Sequence, residues 1–495
     1  MRFRRARRRG PLRLGLAAIL LSASSVAWVG GGAEPAAAVT LSAELRASLA
    51  QARAVSRRLS VHVESLPDGE EVFAYNADTP RIVASNAKLV TTAAALDRLG
   101  PGFFFETKLL LEGRIVGNRL VGNLAVQGGG DPNISGRLFG GDSLAVFRSW
   151  ARHLRSLGIE EITGDLHLVH GLFDDAHVHP DWPRDQLSKW YEAPVEALSY
   201  SDNCVLVRIH PGTAVGAPAW AEIPVGPQIF ELRNKARTVR SSRHHWFAVD
   251  RSPGTNVIEI NGMILRGIDP IDVWVSVDNP VDYFGAALIL AFEREGVQLG
   301  GAVRPVEVLP EGGWWRIARH RTDLLTTLEV INRRSQNFYA ESLLKLLGAE
   351  ACGDGSWEGG LRALREFLDQ AEITSGFELA DGSGMSRGNR YSARQLTELL
   401  TYMFGHRYGR EYAATLPYSG LEEHSTWRKR LAAEPYRERV FAKTGSLAGV
   451  STLSGYVKAK SGKVYAFSIL CNEVRSVWRA RRAQNVIVRA LIDHG

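Results

Sequence analysis

Ile82-Val-Ala-Ser85-Asn-Ala-Lys88-Leu-Val-Thr-Thr-Ala-Ala-Ala-Leu96-Asp-Arg-Leu99-Gly100-Pro101 is the stretch on which the reading of this chain turns. Its alanines predict a helix over 85–99 that Gly100-Pro101 stops. Positions i and i+3 share a helix face, so the Lys88 amine is expected one turn from the Ser85 hydroxyl. A serine is a poor nucleophile until a neighbour accepts its proton. At a first helical turn, free backbone N–H groups also favour negative charge on an attacked carbonyl. Roughly one Ser-x-x-Lys arises by chance in a chain like this, so the spacing needs support from elsewhere.

Lysine usage gives some of it. Ten Lys stand against fifty Arg, and only Lys can shed its proton inside a protein. Lys443-Thr444-Gly445 precedes two alternating runs, 451–457 and 463–470, and is expected on a strand itself. Gly445 removes a side chain where another backbone must approach. The strand edge can pair with an extended peptide, and Lys443 with Thr444 offers a cation and a hydroxyl to a terminal carboxylate. A third element, Ser-x-Asn, occurs twice, as Ser201-Asp202-Asn203 and as Ser335-Gln336-Asn337. The first leads into the strand-like 205–210 run. The second opens an amphipathic helix that Gly348 is expected to end, in the part grouped with Lys443, which favours it.

Outward from these motifs, Leu41, Leu45 and Leu49 form a helical stripe, and 59–63 and 71–75 read as a hairpin around Pro67-Asp68-Gly69. From about 105 to 310, short alternating runs between Gly, Pro and Asn clusters predict mostly β structure. Helical texture resumes over 323–348 and 359–371, and a terminal helix places Ala483, Val486, Ile487, Ala490 and Leu491 on one face. The two ends share an α/β character that the middle lacks, so one domain split by a large insertion is expected.

Composition excludes several classes. The chain has 495 residues and a formal charge of +7, but residues 1–38 hold seven Arg and one Glu, leaving the rest near +1. A body that neutral gives no case for a nucleic-acid partner. Residues 1–38 themselves read as an export signal: basic up to Arg13, apolar over Leu14–Val29, small at Ala36-Ala37-Ala38. An uncleaved anchor is the alternative; otherwise at most peripheral membrane contact is expected. Three Cys are too few for a disulfide scaffold. His167, His170, His177 and His179, among Asp174, Asp175 and Asp181, lack a metal-site spacing and read as a polar loop. No phosphate-loop lysine follows Gly128–Gly130, and Trp314-Trp315 reads as packing where the chain re-enters its main domain.

Arg81–Leu96 resembles the active-site helix of the class C low-molecular-mass penicillin-binding proteins, the D-alanyl-D-alanine carboxypeptidase/endopeptidases. Ile331-Asn-Arg-Arg-Ser335-Gln-Asn337-Phe-Tyr-Ala-Glu341 resembles their second motif and Ala442-Lys-Thr-Gly-Ser-Leu447 their third; Ala380–Arg387 and Gly128–Pro132 are similar to further family signatures. The resemblance implies an α/β (α+β) fold: a penicillin-binding transpeptidase-like domain (39–105 and 311–495) interrupted by a β-rich domain (106–204 and 281–310) carrying a second, nested one (205–280). It makes Ser201-Asp202-Asn203 insertion structure. It implies Ser85, Lys88, Ser335 and Asn337 as catalytic residues, with Lys443, Thr444, Gly445, Ser446 and Arg387 binding substrate. Peptidoglycan stem peptides are the implied partner and β-lactams the covalent inhibitors, in the periplasm and without a cofactor or metal; a homodimer stays open. A β-lactamase or esterase on the same scaffold and a non-catalytic peptidoglycan-binding protein are the rival readings.

Two departures from the family bear on recognition. An acidic residue the family often carries near the diamino-acid pocket is replaced in the run Val169-His170-Gly171-Leu172-Phe173, and a Gly-rich stretch before the third motif is replaced by Leu421–Trp427. The first predicts tolerance of neutral side chains, unless Asp174 or Asp175 supplies the missing carboxylate.

Overall fold

The computed structural model describes residues 40–374, 376–421 and 426–495. The segment read as an export signal lies outside them. Both ends of the chain build one antiparallel sheet. Helix α1 (Leu41–Val55), capped by Thr40, leads into β1 (Ser56–Leu66) and its hairpin partner β2 (Glu70–Tyr75). The far end supplies β3 (Val440–Leu447), β4 (Val450–Lys458) and β5 (Val464–Val474), in the order β3-β4-β5-β1-β2. One face is covered by α2 (Ala87–Leu99), α3 (Leu324–Arg334), α4 (Asn337–Cys352), α5 (Trp357–Gln370) and α6 (Ala393–Gly405). On the other, α1 and the terminal helix α7 (Val477–His494) bury Leu45, Leu49, Ile487 and Leu491 against Val61, Phe467 and Ile469. Every residue of α2 from Ala87 to Asp97 is buried, as its small, apolar composition requires.

The helical texture over 323–348 is two helices. Ser335 adopts φ +57, ψ +36, a left-handed conformation that ends α3 and re-aims the chain into α4. Gly348 does not end α4, which runs on to Cys352. A Cβ at Gly348 would lie 2.4 Å from the Asp354 carbonyl and 2.5 Å from the Gly360 nitrogen, so the glycine lets α5 pack close.

The middle of the chain forms a seven-stranded sheet that includes Phe104–Val116, Arg119–Gln127, Leu166–Val169 and Trp315–Asp323. Residues 204–276 add a three-stranded sheet (Cys204–His210, Trp220–Glu222, Ile271–Ser276) and a four-stranded one around Val257–Leu265. Alongside the expected strands stand two helices, Ala145–Ser156 and Pro280–Arg294, which pack together through Phe147, Trp150 and Phe284. The second carries a readable start, Asn279 as cap with Pro280 in the first turn. Among the described residues no helix is long and apolar enough to cross a membrane.

Candidate active site

Ser85 lies in a single 3-10 turn, Ala84–Asn86, that feeds α2. Ala84 is left-handed at φ +47, which is unfavourable by about 1–2 kcal/mol for a residue with a Cβ. Neighbours over-determine the turn. Asn86 donates to Ser454 Oγ (2.6 Å) and accepts from Thr452 Oγ1 (3.0 Å), which also donates to the Val83 carbonyl (2.8 Å). Two glycines close on the turn. A Cβ at Gly445 would sit 2.7 Å from the Val83 carbonyl and 3.0 Å from the Ser85 nitrogen, and one at Gly384 1.9 Å from the Ala84 carbonyl. The backbone that Gly445 admits is therefore that of the serine turn.

Lys88 is fully buried. Its Nζ reaches Ser85 Oγ at 3.2 Å, Asn337 Oδ1 at 2.7 Å and the Ser383 carbonyl at 2.6 Å. Asn337 Nδ2 donates to the carbonyl of Tyr191, in the inserted part of the chain, at 2.9 Å, which fixes its oxygen toward Lys88. Burial depresses the Lys88 amine to about 7, against the pull of the Glu341 and Asp381 carboxylates. Lys443 Nζ donates to Ser335 Oγ (2.8 Å) and to the Thr444 carbonyl (3.0 Å). Its pKa also falls well below the usual lysine value, through burial first and then repulsion from Lys88. All five of these side chains thus meet around one point.

The remaining predicted residues sit at the rim. β3 is the edge strand, and among the described residues its outer edge is occupied at its start, where Ser419 N donates to the Val440 carbonyl and Ala442 N to the Pro417 carbonyl. Thr444 is half-buried and Ser446 exposed on the free part. Arg387 is exposed and donates to the Ala448 carbonyl at 3.0 Å.

Sequence reasoning missed the residues that hold the site by its backbone. Glu341, fully buried on α4, accepts from Ser383 N (2.7 Å), Gly382 N (3.0 Å) and Trp357 Nε1 (2.9 Å), and burial raises its carboxyl to about 7. Asp381 accepts from Gly384 N, Ser386 N, Asn389 Nδ2 and Trp182 Nε1. Together they shape the loop that offers the Ser383 carbonyl to Lys88. A signal existed for the first: two charges four residues apart, Glu341 and Lys345, in the otherwise apolar run Phe338–Leu347.

Ser201-Asp202-Asn203 forms a left-handed bend whose Asn203 ties to Pro194 and Ser199, while Asp202 accepts from Gln336. Val169 is a buried strand residue packed with Leu110, Ala125 and Trp314 in a small cluster on the sheet face opposite the main core of the insertion. Asp174 is engaged by Lys345, which has its side chain wholly buried, donates to it at 2.5 Å and lies over the Trp357 ring. Asp175 is exposed. His170 and His177 both turn to Glu196, which raises the pKa of His170; His167 packs on Trp314 and His179 on Trp357. Gly128 and Gly129 admit the backbones of Ala197 and Glu106. Trp314 packs as expected, whereas Trp315 projects into solvent because its strand turns that face outward. Leu421 and Trp427 are buried against the terminal helix, and residues 422–425 lie outside the described residues.

Comparison with known proteins agrees with this arrangement. A family model described as the D-Ala-D-Ala carboxypeptidase 3 (S13) family matches residues 41–491. A D-alanyl-D-alanine carboxypeptidase of Actinomadura sp. (strain R39) is 30% identical over 419 residues, 82% of this chain and 76% of that protein. The D-alanyl-D-alanine carboxypeptidase DacB of Haemophilus influenzae is 27% identical over 402 residues, 79% and 81% of the two. The crystal structure of penicillin binding protein 4 (dacB) from Haemophilus influenzae superposes with a TM-score of 0.78 at 25% identity, covering 89% of this chain and 97% of that one. The chain belongs to the D-Ala-D-Ala carboxypeptidase 3 (S13) family.

Proposed function

We propose that this carboxypeptidase cleaves terminal D-Ala from peptidoglycan stem peptides, and opens D-Ala cross-links, through an acyl-enzyme on Ser85, outside the cytoplasmic membrane. The observation that carries the mechanism is the set of partners around Lys88. Two of its three contacts, the Asn337 amide oxygen and the Ser383 carbonyl, can only accept hydrogen bonds. A neutral amine spends its two N–H bonds on them and turns its lone pair to the third, Ser85 Oγ, the one neighbour with a proton to give. With a pKa of about 7 the amine is neutral often enough to act as base.

Ser85 Oγ attacks the carbonyl carbon of the penultimate D-Ala and its proton passes to Lys88. The backbone N–H groups of Ser85 and Ser446 receive the oxyanion. Ser335, hydrogen-bonded to Lys443, delivers a proton to the leaving amine. Asn337 keeps one N–H for the substrate amide while the other holds the Tyr191 carbonyl. The free part of β3 pairs with the substrate backbone, Lys443 and Thr444 attract its terminal carboxylate, and Arg387 stands at the side-chain end. Water then releases the acyl group. β-Lactams acylate the same oxygen, in keeping with the solved complex of the Haemophilus protein with a novel β-lactam.

The test is covalent labelling and product analysis. Ser85→Ala is expected to abolish labelling by a fluorescent penicillin and release of D-Ala from muropeptides, with stability changed by less than about 1 kcal/mol. Labelling that persists on another serine overturns the assignment, and rapid penicillin turnover by the wild type marks a β-lactamase instead.

A further inference from the structure

A cleft of about 820 Å³ opens behind the Ser335 loop, and no step above uses it. Its inner wall is Gln336, the residue between Ser335 and Asn337, with Asp202 and Arg137. Gln336 Nε2 donates to Asp202 Oδ2 at 3.0 Å and Arg137 pairs with the same carboxylate. The rim carries Trp190, Trp274 and Arg334. Arg334 is exposed and, among the described residues, makes no ion pair or side-chain hydrogen bond.

Beyond the rim the cleft runs through Leu206, Arg208 and Trp274 onto the outward face of the three-stranded sheet. Register sets Trp274 opposite Leu206, Asp272 opposite Arg208 and Trp220 opposite His210, all on that face. Trp190, Trp274 and Trp220 are 46%, 46% and 50% exposed, and the His210 ring stacks on Trp220. Along the central strand the two sheet tryptophans stand about 13 Å apart, at ~3.3 Å per residue. Tryptophan, with a large apolar ring and a polar N–H, is enriched at binding interfaces. A protein partner would be met by an interface core depleted in charge, yet the Arg208–Asp272 ion pair lies between these rings. Flat indoles spaced along a polar strip suit a chain of sugar rings, whose C–H faces stack on them while hydroxyls bond the intervening charges. Arg334 suits a carboxylate hung from such a chain.

We propose that this cleft and sheet face bind the glycan strand of peptidoglycan and lead its stem peptide to Ser85. The inference rests on the carboxypeptidase reading, so one arm of its test needs no turnover. Purified Ser85→Ala protein is sedimented with peptidoglycan sacculi, beside the same protein carrying Trp220→Ala and Trp274→Ala. The tryptophan variant is expected to bind at least tenfold more weakly. In the active enzyme the same pair raises KM at least tenfold for glycan-linked muropeptides and changes kcat/KM for a short acetylated stem peptide less than twofold. Unchanged sedimentation, or equal losses on both substrates, overturns the proposal. So does a shift from dimer to monomer in light scattering with sacculus binding intact, which assigns the face to contact between copies of the chain. Failure of the wild type to cleave the short peptide bears only on the reading of Ser85.

Discussion

On the proposed mechanism Lys88 must be neutral to take the proton of Ser85, so the rate should follow its deprotonated fraction. Acylation is expected to rise with pH, with a midpoint at about 7, when kcat/KM or penicillin labelling is followed from pH 5.5 to 8.5. Glu341 raises the Lys88 pKa by its charge. Glu341→Gln therefore should move that midpoint to lower pH, and a midpoint that moves up would refute the electrostatic link. At this scale the sequence was informative where a side chain does chemistry. Ser85, Lys88, Ser335, Asn337 and Lys443 stand out by type and spacing, and the structure bonds Lys88 to Ser85 and Asn337, and Lys443 to Ser335. Tyr191 could not declare itself, because it acts through a carbonyl oxygen that every residue has. Glu341 and Asp381 act on backbone N–H groups of a distant loop, which no local pattern encodes.

Between elements, the decisive contacts are made where side chains are missing or backbone is strained. Gly445→Ala would force a methyl onto Thr452 and the Val83–Ser85 backbone. It should lower stability by about 1–3 kcal/mol, visible in thermal melts, and slow acylation by at least about 10²-fold as the serine turn shifts. Ser335 offers the opposite case. Its left-handed backbone suits glycine, so Ser335→Gly should hold or raise the melting temperature while acylation falls about 10²-fold with the loss of a positioned proton-transfer group. A parallel fall in both would mean that Ser335 serves the fold alone. The start of α4 at the Ser335-Gln336-Asn337 motif was legible, but the left-handed turn of Ser335 that ends α3 was not, since serine does not advertise that conformation. The helices Ala145–Ser156 and Pro280–Arg294 were hidden differently, inside a stretch whose turns and alternation read as strand.

Across the whole molecule, several contacts tie the inserted chain to the catalytic half beside the site. Among them are the Tyr191 carbonyl on Asn337, Trp182 on Asp381, Gln336 on Asp202, and the ion pair of Asp174 with the buried Lys345. Asp174→Ala leaves a buried ammonium with the Ala176 carbonyl and the Trp357 ring. Because Asp174 is 37% exposed, the expected loss is about 1–3 kcal/mol in denaturant melts, below the range for a fully buried pair. The same substitution should leave the ratio of kcat/KM between stem peptides with and without a free ammonium unchanged. The split of the chain into shared ends and a β-rich middle was legible, since Gly- and Pro-punctuated alternation differs from helical texture over any long window. Where the inserted loops touch the catalytic helices was not, since those contacts join residues far apart in sequence.

The pairing of β1 with β5, Ser56 opposite Val474 and Leu66 opposite Val464, also sets a clock. A chain made from its N-terminus has Ser85 early, but the strands that brace it come last: β3 with Lys443 and Gly445, β4 with Thr452 and Ser454, then β5. Until they arrive, Asn86 lacks its Ser454 and Thr452 partners and only the Gly384 loop can close on the serine turn, while the inserted sheets, whose strands lie nearer each other in sequence, can already form. A polypeptide cut short before Val440 lacks Lys443 and both side-chain partners of Asn86, so it is expected to release no D-Ala from muropeptides, which an assay of such a truncation checks.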